Sequence, residues 1–125
     1  MLHHISLAVS DLERSAAFYD ATLGALGYRR VWSFPDAIGH GSEDGNDRFA
    51  IKKRGDTVLA PSPGFHLAFE ANDESSVQAF HAAALRSGGT DNGAPGLRTR
   101  YAPRYYAAFV LDPDGYALEA VINQS

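Results

Sequence analysis

The sequence predicts an α+β fold: two tandem βαβββ modules forming one curved, half-open sheet with the helices on the outside. Three observations carry this expectation. The 125 residues suit one domain, with module one over about 1–60 and module two over about 64–123. The order of elements runs strand, helix, strands, and then begins again. The chain also repeats itself. Sliding it by 62 places superposes residues 4–27 on 66–89, with identities at His4/His66, Asp11/Asp73, Ala17/Ala79, Phe18/Phe80, Ala21/Ala83, Leu23/Leu85 and Gly27/Gly89. Seven matches in 24 positions exceed the roughly one or two that unrelated segments give.

Each element has a local reason. Leu2 to Val9 alternates Ile5, Leu7 and Val9 with His4, Ser6 and Ala8, a strand with one apolar face. Ser10 or Asp11 caps a helix that carries Leu12, Ala16, Tyr19 and Leu23 at helical spacing. Gly24 or Gly27 should end it. Strands are expected at Tyr28–Phe34, Ala37–His40 and Arg48–Lys53, separated by Pro35-Asp36 and Ser42–Asn46. Arg54–Pro63 reads as a linker. Phe65–Ala71 is a strand, Asp73–Arg86 a helix closed by Ser87-Gly88-Gly89, and Thr90 to about Arg98 a loop. Tyr105–Leu111 and Tyr116–Ile122 form a hairpin through Asp112-Pro113-Asp114-Gly115, a type I turn. The segment Asp47–Lys52 pairs with Asp114–Glu119 at a slightly larger offset than the rest of the repeat.

Composition narrows the function. There is no cysteine, which excludes disulfides, iron–sulfur clusters, thiolate zinc sites and a cysteine nucleophile. A metal must then be held by His, Asp or Glu. Eleven basic against fifteen acidic residues give a net charge of −4, the wrong sign for a nucleic-acid binder. No targeting segment or membrane-length apolar run is visible. The expectation is a soluble, cytoplasmic protein that meets a small-molecule substrate, not nucleic acid or membrane.

His4 and His66 hold equivalent places in the two halves, on the face opposite the apolar strand positions. Glu119 lies within Ala117-Leu118-Glu119-Ala120-Val121, where an unpartnered carboxylate is costly. Two histidines and a carboxylate make the donor set used by non-haem iron and by related manganese, nickel, cobalt or zinc sites. His3 has the wrong strand parity, and neither His40 nor His81 has a repeat partner. Arg98, Arg100 and Arg104 stand near Tyr101, Tyr105 and Tyr106. Arginine clamps carboxylates or phosphates and tyrosine stacks, so Arg98, Tyr101, Tyr105 and Tyr106 are candidate substrate contacts. Trp32, Phe34 and Phe49 are candidates to line the cup. Asp91–Gly96 is glycine-rich but lacks the following Lys-Ser or Lys-Thr of a phosphate loop.

The chain resembles the glyoxalase/bleomycin-resistance/extradiol-dioxygenase superfamily, also called the vicinal oxygen chelate fold. The likeness rests on His4–Ser15 with Phe18-Tyr19 and Leu23-Gly24, on His66–Phe69, and on Tyr105–Glu119. It implies metal ligands from the first and last strand of each module, here His4, His66 and Glu119, with Glu119 also the catalytic candidate. The fourth ligand position falls on Lys52, which cannot ligate and so departs from the carboxylate of glyoxalase I enzymes. The implied cofactor is a divalent ion, and the implied assembly a homodimer whose contact covers exposed strand edges. The implied activity is a metal-dependent lyase or isomerase that acts on neighbouring substrate oxygens by Lewis-acid stabilisation of an enolate or alkoxide. The alternatives are an extradiol-type Fe(II) dioxygenase and a metal-free antibiotic-binding resistance protein.

Overall fold

A computed structural model describes residues 1–124; Ser125 lies outside the described residues. Ten elements follow in order: β1 (Ile5–Val9), α1 (Leu12–Ala25), β2 (Arg29–Phe34), β3 (Ala37–Glu43), β4 (Asn46–Lys53), β5 (Leu67–Glu70), α2 (Glu74–Arg86), β6 (Thr90–Leu97), β7 (Tyr105–Leu111) and β8 (Ala117–Asn123). They form the two expected βαβββ modules. The strands are ordered β1-β4-β3-β2 in one four-stranded sheet and β5-β8-β7-β6 in the other. Within each sheet the first strand runs parallel to the last, and the other pairs are antiparallel. The eight strands thus meet as two hydrogen-bonded sheets of four. β1 and β5, where the two would join, are both edge strands.

The helices begin for the same reason in both modules. Asp11 is the N-cap of α1 and accepts from the Arg14 amide at 3.1 Å. Its repeat equivalent Asp73 caps α2 and accepts from Ser76 at 2.7 Å. Such a cap stabilises a helix by about 1 kcal/mol. Ala16, Phe18, Tyr19 and Leu23 bury one face of α1, and Val77, Phe80 and Ala84 one face of α2. The helices pack on each other. A single core joins them to Leu7, Val9, Phe49 and Ile51 of the first sheet and Val110, Leu118 and Ala120 of the second. Close approach at one point demands glycine: a Cβ on Gly89 would meet Phe18 at 2.7 Å and the Leu111 carbonyl at 2.9 Å.

One element departs from the sequence reading. Thr90–Leu97, expected as a loop, is the strand β6, paired with β7 from Thr90↔Leu111 to Leu97↔Tyr106. Glycine and proline do not prevent it, because β6 is an outer edge and its register shifts at Gly93. Pro95 needs no ladder donor there, and bulges accommodate the glycines.

The β7–β8 turn locks the modules together. Asp112 is buried, and its Oδ2 accepts from the Tyr19 hydroxyl of α1 at 2.5 Å. Its Oδ1 accepts from the Asp114 and Tyr116 amides, each at 2.9 Å. Asp114 takes the Ser10 hydroxyl at 2.5 Å and Arg14 at 2.9 Å. The Tyr116 hydroxyl donates to the Ala8 carbonyl at 2.8 Å. Burial raises the Asp112 carboxyl, although Tyr19 and the backbone donors oppose it. Burial, with Asp112 second, raises the Tyr19 phenol well above its ordinary value, so it remains a donor.

Two predictions follow from this packing. Tyr19→Phe should lower the unfolding free energy by about 1–2 kcal/mol and Asp112→Ala by about 3 kcal/mol, since the latter strands two buried donors. Urea denaturation measures both. The second concerns His40, whose basicity burial depresses despite the opposing pull of Asp20. The folded state therefore binds a proton less readily than the unfolded state. Its contribution is present above about pH 6.5 and is lost as pH falls through the depressed value. Stability measured from pH 7 downward should decline, and His40→Phe should flatten that part of the slope.

Candidate functional site

Strand alternation sorts the side chains of the second sheet. Leu118 and Ala120 of β8, with Ala108 and Val110 of β7, enter the core beside α2. The intervening residues face the opposite, cup side. Glu119 sits there, opposite Phe109 of β7 on one side and Ala68 of β5 on the other. His66 directly precedes β5, two residues before Ala68, and so shares that face. Only 2% of the Glu119 side chain is exposed, against 53% of His66.

The carboxylate is fully engaged. His66 Nε2 lies 3.0 Å from Glu119 Oε1, and the Tyr105 hydroxyl donates to Oε2. Burial, followed by the adjoining Glu119 carboxylate, pushes the Tyr105 phenol up to about 12. It therefore remains protonated and acts as a donor at any physiological pH. Tyr101 packs edge-on against Tyr105 with ring centres 5.1 Å apart. These residues open onto a cavity of about 320 Å³, also lined by Asn92 and Phe109. The result is a deep carboxylate, an accessible imidazole and a tyrosine wall.

The other expected residues are distributed differently. Arg98 is held by the Ala94 carbonyl at 2.6 Å and lies over the Phe109 ring at 5.4 Å, so it backs the cavity wall. Tyr106 follows Tyr105 and therefore faces the other way. Its hydroxyl accepts from Gln78 of α2 at 2.9 Å, and its ring packs on the core. It belongs to the helix side of the sheet and does not line the cup. Asn92 and Phe109 were not singled out from sequence. Phe109 could have been, because it lies four residues beyond Tyr105 in the same strand. Asn92 was concealed by the reading of its segment as a loop.

His4 lies in the other module. It directly precedes β1, is exposed, and has its Nδ1 2.8 Å from Nδ1 of His3. Among the described residues no three His, Asp or Glu side chains come close enough together to hold a metal ion. One chain thus assembles two donors, His66 and Glu119. Their types, imidazole nitrogen and carboxylate oxygen, suit a divalent transition ion, and a third donor is needed to complete its coordination.

The register also relocates the fourth position. Ala68 and Ser6 are repeat equivalents. Ala68 pairs with Glu119, and Ser6 pairs with Ala50. Ala50, not Lys52, therefore stands where Glu119 stands in the second module. Lys52 is one pair further along the same face, between Ala8 and Ala37. Trp32 also lies on this face, its indole over Gly39, where a Cβ would meet the ring at 2.3 Å.

The family model of the glyoxalase/bleomycin resistance protein/dioxygenase superfamily matches residues 1–120. The chain belongs to this superfamily. A glyoxalase/bleomycin resistance protein from Albidiferax ferrireducens is 32% identical over 99% of both chains, with a TM-score of 0.85. A glyoxalase-related enzyme from Fulvimarina pelagi is 23% identical, covers 98% of this chain and 88% of its own, and has a TM-score of 0.74. The fosfomycin resistance protein FosX from Mesorhizobium loti is 19% identical, covers 99% and 92%, and has a TM-score of 0.70. The last two show the shared fold. No protein with a curated description is significantly similar in sequence. Members of the superfamily bind small molecules, and no helix among the described residues is long and apolar enough to cross a membrane.

The hydrogen bonds around Glu119 predict two unequal tyrosines. Tyr105→Phe leaves an oxygen of a buried carboxylate without its hydroxyl donor and should lower stability by about 1–3 kcal/mol. Tyr106→Phe removes only a bond to exposed Gln78 and should change stability by less than about 0.5 kcal/mol. Equilibrium unfolding in urea separates the two.

Proposed function

We propose that this chain is a metal-dependent, glyoxalase-type enzyme that acts on a small substrate with neighbouring oxygens. In this reading it works as a homodimer, with His66 and Glu119 of one copy joined by His4 of a second copy around one ion. The observation that carries the reading is Glu119, a carboxylate with 2% exposure that shares 3.0 Å with an accessible histidine at the mouth of a cavity. Two further observations support the second copy. His4 stands apart from the pair within one chain, and β1 and β5 each leave one edge unpaired. An unpaired edge beside a cup face favours association.

A bound divalent ion would supply Lewis-acid stabilisation of negative charge developing on a substrate oxygen. The protein's own part is positional. The Tyr105 hydroxyl fixes Oε2 of Glu119 and so directs Oε1 toward His66. His66 presents its imidazole to the cavity. Tyr101 and Phe109 exclude water from one side, and Arg98 braces Phe109. Ala50 leaves the first module without a second carboxylate, so the proposed donor set is two histidines and one glutamate.

The test is complementation between copies. His4→Ala and His66→Ala should each lose binding of Fe(II), Mn(II), Ni(II) and Zn(II) in calorimetric titration. Co-refolded in equal amounts, they should recover about a quarter of the wild-type sites. Half of the random pairs are mixed, and each mixed pair holds one intact site. Wild-type protein that binds none of the four ions would favour metal-free binding and overturn the reading. Failure of the mixture to recover sites would remove the shared-site arrangement.

A further inference from the structure

Lys52 belongs to no ligand set, yet it stands in a prepared place. Phe49 and Ile51 enter the core, so alternation along β4 turns Ala50 and Lys52 to the cup side. The cations that follow it are neutralised, Lys53 by Asp56 at 3.2 Å and Arg54 by Asp36 at 3.8 Å. The half-buried Lys52 side chain has no ion pair among the described residues. Its cross-strand neighbours are Ala8 and Ala37, and the next cup-facing row is Ser6, Ala50 and Gly39. This floor is small and uncharged, so the lysine meets no carboxylate on it.

Trp32 is the second element. Its indole lies over Gly39, where a Cβ would meet the ring at 2.3 Å. Glycine is needed there for space, and it lets the ring settle on the sheet. Trp32 is half-buried, so part of the indole stays open. Phe34 lies against it with ring centres 5.4 Å apart and is 62% exposed. Adjoining aromatic rings left uncovered on a concave face suit a flat ligand.

These elements stand in a fixed order along the sheet. His4 comes two residues before Ser6, whose row carries the indole, and the Lys52 row begins at Ala8. His4 is therefore separated from that row by about 13 Å of strand, at roughly 3.3 Å per residue. The lysine side chain can lean back over part of this distance.

We infer that the substrate is a flat, conjugated carboxylate, with its neighbouring oxygens at one end, its planar body on Trp32 and its anionic group on Nζ of Lys52. This rests on the shared site proposed above, which turns the cup face of His4's module toward Glu119 of the other copy. An ammonium is a point charge with no preferred plane, so Lys52 selects for charge and Trp32 for flatness.

The chain has one tryptophan, so its indole N–H gives a single side-chain signal in a nitrogen–proton NMR spectrum. The probes are trans-cinnamate and its neutral isostere cinnamamide, titrated into the whole metal-free protein. Cinnamate should shift the indole signal, and cinnamamide should bind about fivefold more weakly for want of one half-buried ion pair. Lys52→Met should abolish that difference, and Lys52→Arg should keep it. Equal affinity of the wild type for both probes overturns the proposal. So does a cinnamate preference that survives Lys52→Met, or an indole signal that does not move up to the solubility limit. A second titration separates this inference from the metal reading. With Zn(II) present, 3,4-dihydroxycinnamate should bind about tenfold more tightly than cinnamate, because its paired oxygens can reach the ion. No gain from Zn(II), with the cinnamate preference intact, overturns the metal reading and leaves Lys52 and Trp32 as the anion site of a metal-free binding protein.

Discussion

Asp112 is withdrawn from water at the turn between β7 and β8, and its two oxygens face different modules. One accepts from Tyr19, on the helix of the first module. The other accepts from backbone amides of its own turn. A carboxylate buried this deeply is tolerable only when its acceptor sites are filled. That requirement couples the geometry of a hairpin to the seating of a helix 93 residues away in sequence. Asp114 adds Ser10 and Arg14 to the same junction. A module of about 60 residues on its own buries only a marginal amount of surface. The common core and this polar clamp fix their relation, and with it the outward aspect of both cup faces.

The clamp bears on the candidate site through β8. Glu119 follows the turn by a few residues, in the strand that β7 and β5 hold on both sides. Its position is therefore set by ladder hydrogen bonds. The second layer is Tyr105, whose hydroxyl fixes one carboxylate oxygen and leaves the other to His66. A side chain restrained by its strand and by a neighbouring phenol loses little freedom on meeting a ligand. His66, on the last residue before β5 and half exposed, keeps more.

Much of this was legible in the sequence. The repeat exposed both modules because paired residues such as Asp11 and Asp73 do the same capping work. Glu119 stood out as a charge in an apolar strand, and His66 stood out through its repeat partner. Lys52 was misplaced for a physical reason. The β3–β4 pairing shifts register twice between His40 and Glu43, so matching the turns by residue type runs two positions past the true equivalent, Ala50. Tyr106 was included by proximity, although strand alternation already sends it away from Tyr105. Thr90–Leu97 escaped because glycine and proline suppress a strand signal that an edge position tolerates. The clamp between Tyr19 and Asp112 left no local trace, since its partners meet only through tertiary packing.

The bulged strand β6 has a consequence for how far association can proceed. In the proposed pair, β1 and β5 are the edges brought into contact, and β2 and β6 become the outer margins. β6 carries Pro95 between Gly93 and Gly96, with its ladder broken at both glycines. It offers an irregular row of donors that a further strand cannot follow. β2 begins with Arg29 and Arg30, both engaged by aspartates, and slips register before Trp32. A sheet whose inner margins are adhesive and whose outer margins are blunted closes on itself after one round of addition. The same irregularity that hid β6 from a sequence reading would thus end polymer growth at two chains and keep the assembly from extending into a fibre.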